Sequence, residues 1–249
     1  MKNLLVFFFI LVTSISYSQG LLVEYSDMTT YPEHPEDDFN IKWNLSVNKN
    51  TSLYTPASLI EDKTTVKNVV LEGEEREVKG YRYINYEISY KNYRSKEQVT
   101  IVHYNTKDYR IKEPLEIFEW VITDETKTIG KYTARLATTT KMGYPVDAWF
   151  TEEIPFSSGP AGFHGLPGLI LEYSFGFKLV VAKSIDFKFN GDVVLPEKGI
   201  IMTRGGYENL LKNSIPKPMH KVETKTVGNT TTTTTQGIIV KTREPNKKN

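Results

Sequence analysis

Histidines at 34, 103, 164 and 220 are the chain's four imidazole bases, and no cysteine is present to act as a nucleophile, a thiolate metal ligand or a disulfide partner. His164 lies between Phe163 and Gly165, with Ser157 and Ser158 a few residues upstream. This is the nearest approach of a base to a hydroxyl nucleophile, but no Gly-x-Ser-x-Gly elbow accompanies it, so a hydrolase using His164 stands only as an alternative reading. His103 falls on the apolar side of an alternating segment, the place of a half-buried structural histidine. His220 stands in low-complexity sequence and is discounted. His34-Pro35-Glu36-Asp37-Asp38 gathers oxygen and nitrogen ligands without the spacing of a defined calcium loop, and reads as the solvated approach to a strand. Glu152 and Glu153 are adjacent, so on a strand they point to opposite faces and cannot flank one glycosidic bond; Asp147 and Glu153 share a face only if the strand is regular throughout. No cofactor and no metal is implied, and the expectation is a protein that is not an enzyme.

The elements that would position these residues are strands. Phe39, Ile41, Trp43, Leu45 and Val47 alternate with Asn40, Lys42, Asn44, Ser46 and Asn48, the period-two pattern of a half-buried strand. Ile84, Tyr86, Ile88 and Tyr90 repeat it, as do Val99, Ile101 and His103, then Tyr132, Ala134 and Leu136, then Val146, Ala148 and Phe150, and finally Leu179, Val181, Ile185, Phe187 and Phe189. Turn residues separate the runs at Asn48-Lys49-Asn50, Thr123-Asp124-Glu125, Met142-Gly143-Tyr144-Pro145 and Asn190-Gly191-Asp192. Helical periodicity is confined to a short stretch at 207–212. The pattern predicts an all-β protein: a single strongly curled antiparallel sheet (half-barrel, barrel or sandwich-like) with few short helices. Abundant aromatics on the strands could line its concave side, which the sequence leaves either filled or hollow.

Residues 1–18 have the parts of a cleavable signal peptide: Lys2, a short apolar run at 4–12, and Ser16-Tyr17-Ser18 ahead of Gln19. The run is about half the ~20 residues a membrane-spanning helix needs, and with no cysteine at the cut there is no lipid anchor. Loss of Lys2 leaves basic and acidic residues balanced at 30 each, which argues against nucleic acid as a partner. The expected organisation is a signal peptide at 1–18, a β domain at 19–213 with a charged, mobile insertion at 57–79, and a Thr-rich, disordered tail at 214–249. Ile238, Ile239 and Val240 in that tail could add an edge strand to a partner's sheet.

The most unusual passage is WFTEEIPFSSGPAGFHGLPGLILEYSF at 149–175. Gly159, Pro160, Gly162, Gly165, Pro167 and Gly168 place six conformationally special residues within ten positions. Leu166-Pro167-Gly168-Leu169 predicts a type II turn, with proline presetting the first central residue and glycine taking positive φ at the second. Phe156, Phe163 and Leu166 between the glycines predict a loop that packs inward, as a plug at one end of the sheet or as a recognition surface.

Gly165-Leu166-Pro167-Gly168-Leu169-Ile170 resembles the signature of the GLPGLI family, secreted proteins of Bacteroidota. Trp120-Val121-Ile122, Glu125-Thr126-Lys127-Thr128-Ile129-Gly130, Ala148-Trp149-Phe150-Thr151 and Glu153-Ile154-Pro155 with Gly159-Pro160 are similar to its other blocks, and the resemblance spans roughly 21–189. Lys131 interrupts the usual Gly-Tyr pair, and Tyr144-Pro145-Val146 replaces a glycine-arginine start. The resemblance implies a β-rich domain in the cell envelope and carries no established activity. The expected function is a non-enzymatic binding or accessory protein of the periplasm or outer membrane, partnering an outer-membrane transporter or assembly component. Its contact surface would be Trp149, Phe163, His164, Gly165, Leu166, Pro167, Gly168, Leu169 and Ile170. The alternative is a carrier of a hydrophobic or lipid ligand in a β-barrel cavity.

Overall fold

The computed structural model describes residues 20–30, 39–60, 63–71, 74–82, 85–214, 223–227, 230–235 and 238–243. The signal peptide, the cluster at 34–38 and His220 lie outside the described residues. In chain order the strands are β1 (Gly20–Thr29), β2 (Phe39–Asn48), β3 (Thr51–Pro56), β4 (Lys63–Leu71), β5 (Glu74–Arg82), β6 (Tyr86–Asn92), β7 (Glu97–Tyr104), β8 (Lys107–Pro114) and β9 (Val121–Ile129). They continue with β10 (Tyr132–Lys141), β11 (Tyr144–Thr151), β12 (Leu169–Phe175), β13 (Lys178–Asp186) and β14 (Ile200–Met202), followed by helix α1 (Arg204–Ser214). Beyond it come β15 (Glu223–Val227), β16 (Thr230–Thr235) and β17 (Ile238–Arg243).

Twelve strands form one sheet in the order β14-β8-β7-β6-β3-β2-β1-β13-β12-β11-β10-β9. Neighbours are antiparallel except β14, which lies parallel to β8. The two ends do not meet, so the sheet is open rather than a closed barrel. It curls enough that Leu45 and Tyr54 on one side and Ala137, Phe150 and Tyr173 on the other share one core cluster. Within the charged stretch, β4 and β5 pair only with each other, and β15, β16 and β17 form a separate three-stranded meander. Among the described residues no helix is long and apolar enough to cross a membrane.

Local chemistry explains the hairpins. Asn48 Oδ1 accepts the N–H groups of Asn50 (3.0 Å) and Thr51 (2.8 Å), closing the β2–β3 turn, and Asn92 does the same for Arg94 and Ser95 between β6 and β7. Thr203 caps α1, its hydroxyl accepting from the Gly206 N–H at 3.1 Å. The helix starts three residues earlier than its apolar periodicity suggests, because this cap carries Gly205 and Gly206 into the first turn.

Alternation identifies the inward face of β2 and β11: Trp43, Leu45 and Val47, and Val146, Ala148 and Phe150, are all buried. It misplaces two strands. The pairing with β9 is irregular between Arg135 and Ala137, and there Ala137, not Leu136, enters the core. In β13 the core residue is Val180, with Leu179 and Val181 only half-buried.

The turn at Leu166-Pro167-Gly168-Leu169 also departs from expectation. Gly168 is not at positive φ; Gly165 is, at +97°. What Gly168 supplies is room: a Cβ there would stand 2.0 Å from the carbonyl oxygen of Thr151 and 2.6 Å from its carbon. Gly168→Ala should therefore destabilise the fold by on the order of 3 kcal/mol or more, against about 1 kcal/mol for Gly130→Ala, which has positive φ but open space around it. Urea midpoints measure both; equal losses at the two positions would show that close approach is not what selects Gly168.

Candidate functional site

The chain between β11 and β12 turns into the concave face instead of bulging outward. Phe163, Leu166, Leu169 and Ile170 are each at most 2% exposed. Phe163 packs on Tyr173, Phe118 and Trp120 with ring centroids 5.0, 5.1 and 6.0 Å away. The loop backbone is tied at several points. Leu169 N–H donates to Ile154 O and Ile170 N–H to Ser158 O, both at 3.0 Å. Tyr25 of β1 donates its hydroxyl to Ile170 O at 2.6 Å, and Trp120 Nε1 donates to His164 O at 2.8 Å. Tyr93 donates to Ser158 Oγ at 3.0 Å and contacts Ser52 of β3 at 2.8 Å, joining loop to sheet.

Of the nine residues expected to form a contact surface, the structure therefore turns the apolar side chains of Phe163, Leu166, Leu169 and Ile170 inward. Gly165 and Pro167 remain exposed. Trp149 is half-buried beneath Lys127, whose Nζ lies 4.2 Å from the ring centre and pairs with Glu172 at 2.6 Å. His164 is 8% exposed and forms an isolated antiparallel bridge with Ser158, but its Nε2 has no hydrogen-bond partner among the described residues and so bonds neither the Ser157 nor the Ser158 hydroxyl. Burial lowers its pKa to about 4, the nearby positive charge of Lys91 pushes the same way, and a backbone hydrogen bond at Glu116 opposes them. His103 is held by Asp108 at 2.8 Å and stacks on Tyr86. Glu152 pairs with Arg135, while Glu153 accepts the Thr133 N–H, so the two carboxylates are engaged separately.

The short 3₁₀ turn at Pro160–Gly162 reaches over the polar part of the concave face and borders a partly open cavity of about 250 Å³. Cross-strand register builds its floor. Val47, Ser52, Lys91, Gln98 and Glu113 lie opposite one another in a row across β2, β3, β6, β7 and β8, and Leu45, Tyr54, Ser89, Thr100 and Ile111 form the next row. Asp27 (1% exposed) adds a carboxylate paired with Lys178 at 2.8 Å. Trp43 and Tyr54 stack at 4.8 Å in the wall; Trp43 Nε1 and the Tyr54 hydroxyl are buried without a partner among the described residues. Burial holds the Tyr54 hydroxyl well above its ordinary pKa, so it stays a donor. Lys91 is 3% exposed, and burial lowers its pKa to about 7, with Glu116 opposing and Lys141 adding to the effect.

None of the cavity's polar residues was singled out by motif. The available signal was a polar residue at an inward position of an alternating strand: Lys91 stands where the pattern calls for an apolar side chain once neighbouring registers are known. Alternation in one strand does not reveal this, because both faces of β6 are partly covered.

A family model described as "Protein of unknown function (Porph_ging)" matches residues 141–172, the segment from the end of β10 through the loop into β12. No curated protein matches the chain. Among solved structures, "Structure of PNGF-II in P21 space group" is similar at 17% identity with a TM-score of 0.52, over 83% of this chain and 36% of that one. "Structure of PNGF-II in C2 space group" is similar at 14% identity with a TM-score of 0.50, over 83% and 35%. The chain thus spans about a third of the length of these structures, and the likeness is one of fold.

Because His164 has a folded pKa near 4 against 6.5 when free, the unfolded chain binds its proton first, and stability falls as pH drops from 6.5 to about 4. His164→Asn should remove on the order of 2 kcal/mol of that acid sensitivity, seen as a shallower fall in urea midpoint across this window. An unchanged slope would mean that His164 is not held neutral by the fold.

Proposed function

We propose that this protein is a non-enzymatic binding protein of the cell envelope that holds a small polar molecule in the cavity between its concave sheet face and the loop that resembles the GLPGLI signature. The observation that carries this reading is the pair Trp43 Nε1 and Tyr54 hydroxyl. Each buried polar group left unpaired costs about 1–3 kcal/mol, which a bound acceptor would offset. The lining also contains buried charge on both signs, at Asp27 and Lys91, which suits a polar ligand and not a lipid. The sheet is open and its apolar half is filled by the loop, so a barrel carrying hydrophobic cargo has no interior to use. Export by the leader at 1–18, with a periplasmic or outer-membrane-associated location, completes the proposal and rests on the sequence.

A second reading keeps the loop as a surface for an envelope protein. It is favoured by a wider, more open groove of about 1260 Å³, lined by Pro155, Phe156, Ser157 and Ser158 from the loop and by Asn48, Lys49 and Asn50 from the β2–β3 turn. A partner seated there would slow hydrogen exchange in both segments.

Protein isolated from its own envelope should show a native mass above that of the bare chain, with the difference released on denaturation as one small molecule. The double variant Trp43→Phe, Tyr54→Phe should return the bare mass. Wild-type protein with the bare mass throughout, together with exchange protection at Asn48–Asn50, would favour the second reading instead.

A further inference from the structure

The cavity's cations are not equally well paired, and the difference bears on what it takes. Lys178 is matched by Asp27 at 2.8 Å, Arg204 by Glu113 at 2.6 Å and Lys141 by Glu116 at 3.8 Å. Glu87 also borders the cavity, but Lys91 makes no ion pair among the described residues. It is almost fully buried, and among the described residues its Nζ bonds only the Gln98 side-chain oxygen, at 3.1 Å. An ammonium has three donors and no acceptor, so two remain to be used.

Gln98 cannot turn to compensate. Its Oε1 also accepts the Glu116 N–H at 3.3 Å, while its Nε2 donates to Glu113 Oε1 at 3.0 Å. Glu113 is itself held by Arg204 through Nε at 3.2 Å and Nη2 at 2.6 Å. This chain of bonds orients the amide oxygen toward Lys91, while Glu116 and Glu113 act on the ammonium only at a distance and leave two of its donors unused. Gly162 brings bare backbone up to the same place: a Cβ there would lie 3.1 Å from Ser89 Oγ and 3.6 Å from Lys91 Nζ. Trp43 borders another part of the cavity, and its buried N–H, a donor only, has no partner among the described residues.

Resting on the reading of this cavity as a ligand site, we propose that it binds a small organic carboxylate, whose acid group accepts from Lys91. A buried cation with free donors selects an anion over a neutral isostere, because a neutral group would leave the charge uncompensated after water is excluded. The volume of about 250 Å³ restricts the ligand to a single compact unit. A polymer could contribute only its end.

The test uses full-length mature protein and matched probes: malate, glucuronate and phenylacetate, each against its primary amide, and a tripeptide against its C-terminal amide. Isothermal titration should show acids bound about tenfold or more tightly than their amides. Preference within the small-acid pairs alone assigns a free acid, and preference in the peptide pair assigns a chain terminus. Lys91→Met, which keeps the apolar stem, should abolish the preference, and Lys91→Arg should restore part of it. Wild-type protein that binds amides as well as acids overturns the carboxylate while leaving the cavity a ligand site; binding of no probe overturns both. The wild-type comparison stands even where Lys91→Met does not fold.

Discussion

The backbone of Gly168 lies against that of Thr151 with no space for a side chain, and the arrangement of the concave face follows from that contact. It allows the chain leaving β11 to fold back under itself and re-enter the sheet as β12 with a full ladder. Leu169 and Ile170 can then bond the carbonyls of Ile154 and Ser158, and Tyr25 can reach across from β1 to the Ile170 carbonyl. A loop with this many glycines would ordinarily be expensive to order. Here its backbone groups are paired and its apolar side chains are buried, so ordering the loop also completes the core.

The same fold-back divides the concave face into unlike halves. Over β1, β2 and β10–β13 the loop meets an apolar surface and seals it. Over β3, β6, β7 and β8 it meets Ser52, Ser89, Lys91, Gln98 and Thr100, with which Phe163 and Leu166 could not pack favourably. The turn at Pro160–Gly162 bridges this polar half without filling it. Three ion pairs and an oriented glutamine network offset most of the desolvation there, while Lys91, Trp43 and Tyr54 retain unmet bonding capacity. A core selected for stability alone would favour apolar residues at those positions.

Strand existence and the all-β class were readable from period-two alternation, since a strand with one buried face must write that pattern into its residues whatever its neighbours are. The inward packing of the loop was readable too, from Phe163 and Leu166 set among glycines. Facing was less secure. The irregularity in β10 exchanged Leu136 for Ala137, and β13 buried Val180 in place of its flanking residues, because a register shift depends on the partner strand. The reason for Gly168 was likewise hidden: Pro-Gly suggests a turn angle, whereas the constraint is a neighbour 17 positions away.

The sequence by itself determined an alternating, cysteine-free β protein with one tightly specified glycine-proline segment. Each of these depends on local composition or spacing. Only the tertiary structure decided that Trp43, Tyr54, Lys91 and Gln98, from four different strands, border one cavity. That gathering is a product of cross-strand register and sheet curvature, which bring together residues up to 55 positions apart and leave no mark on the spacing of any one strand.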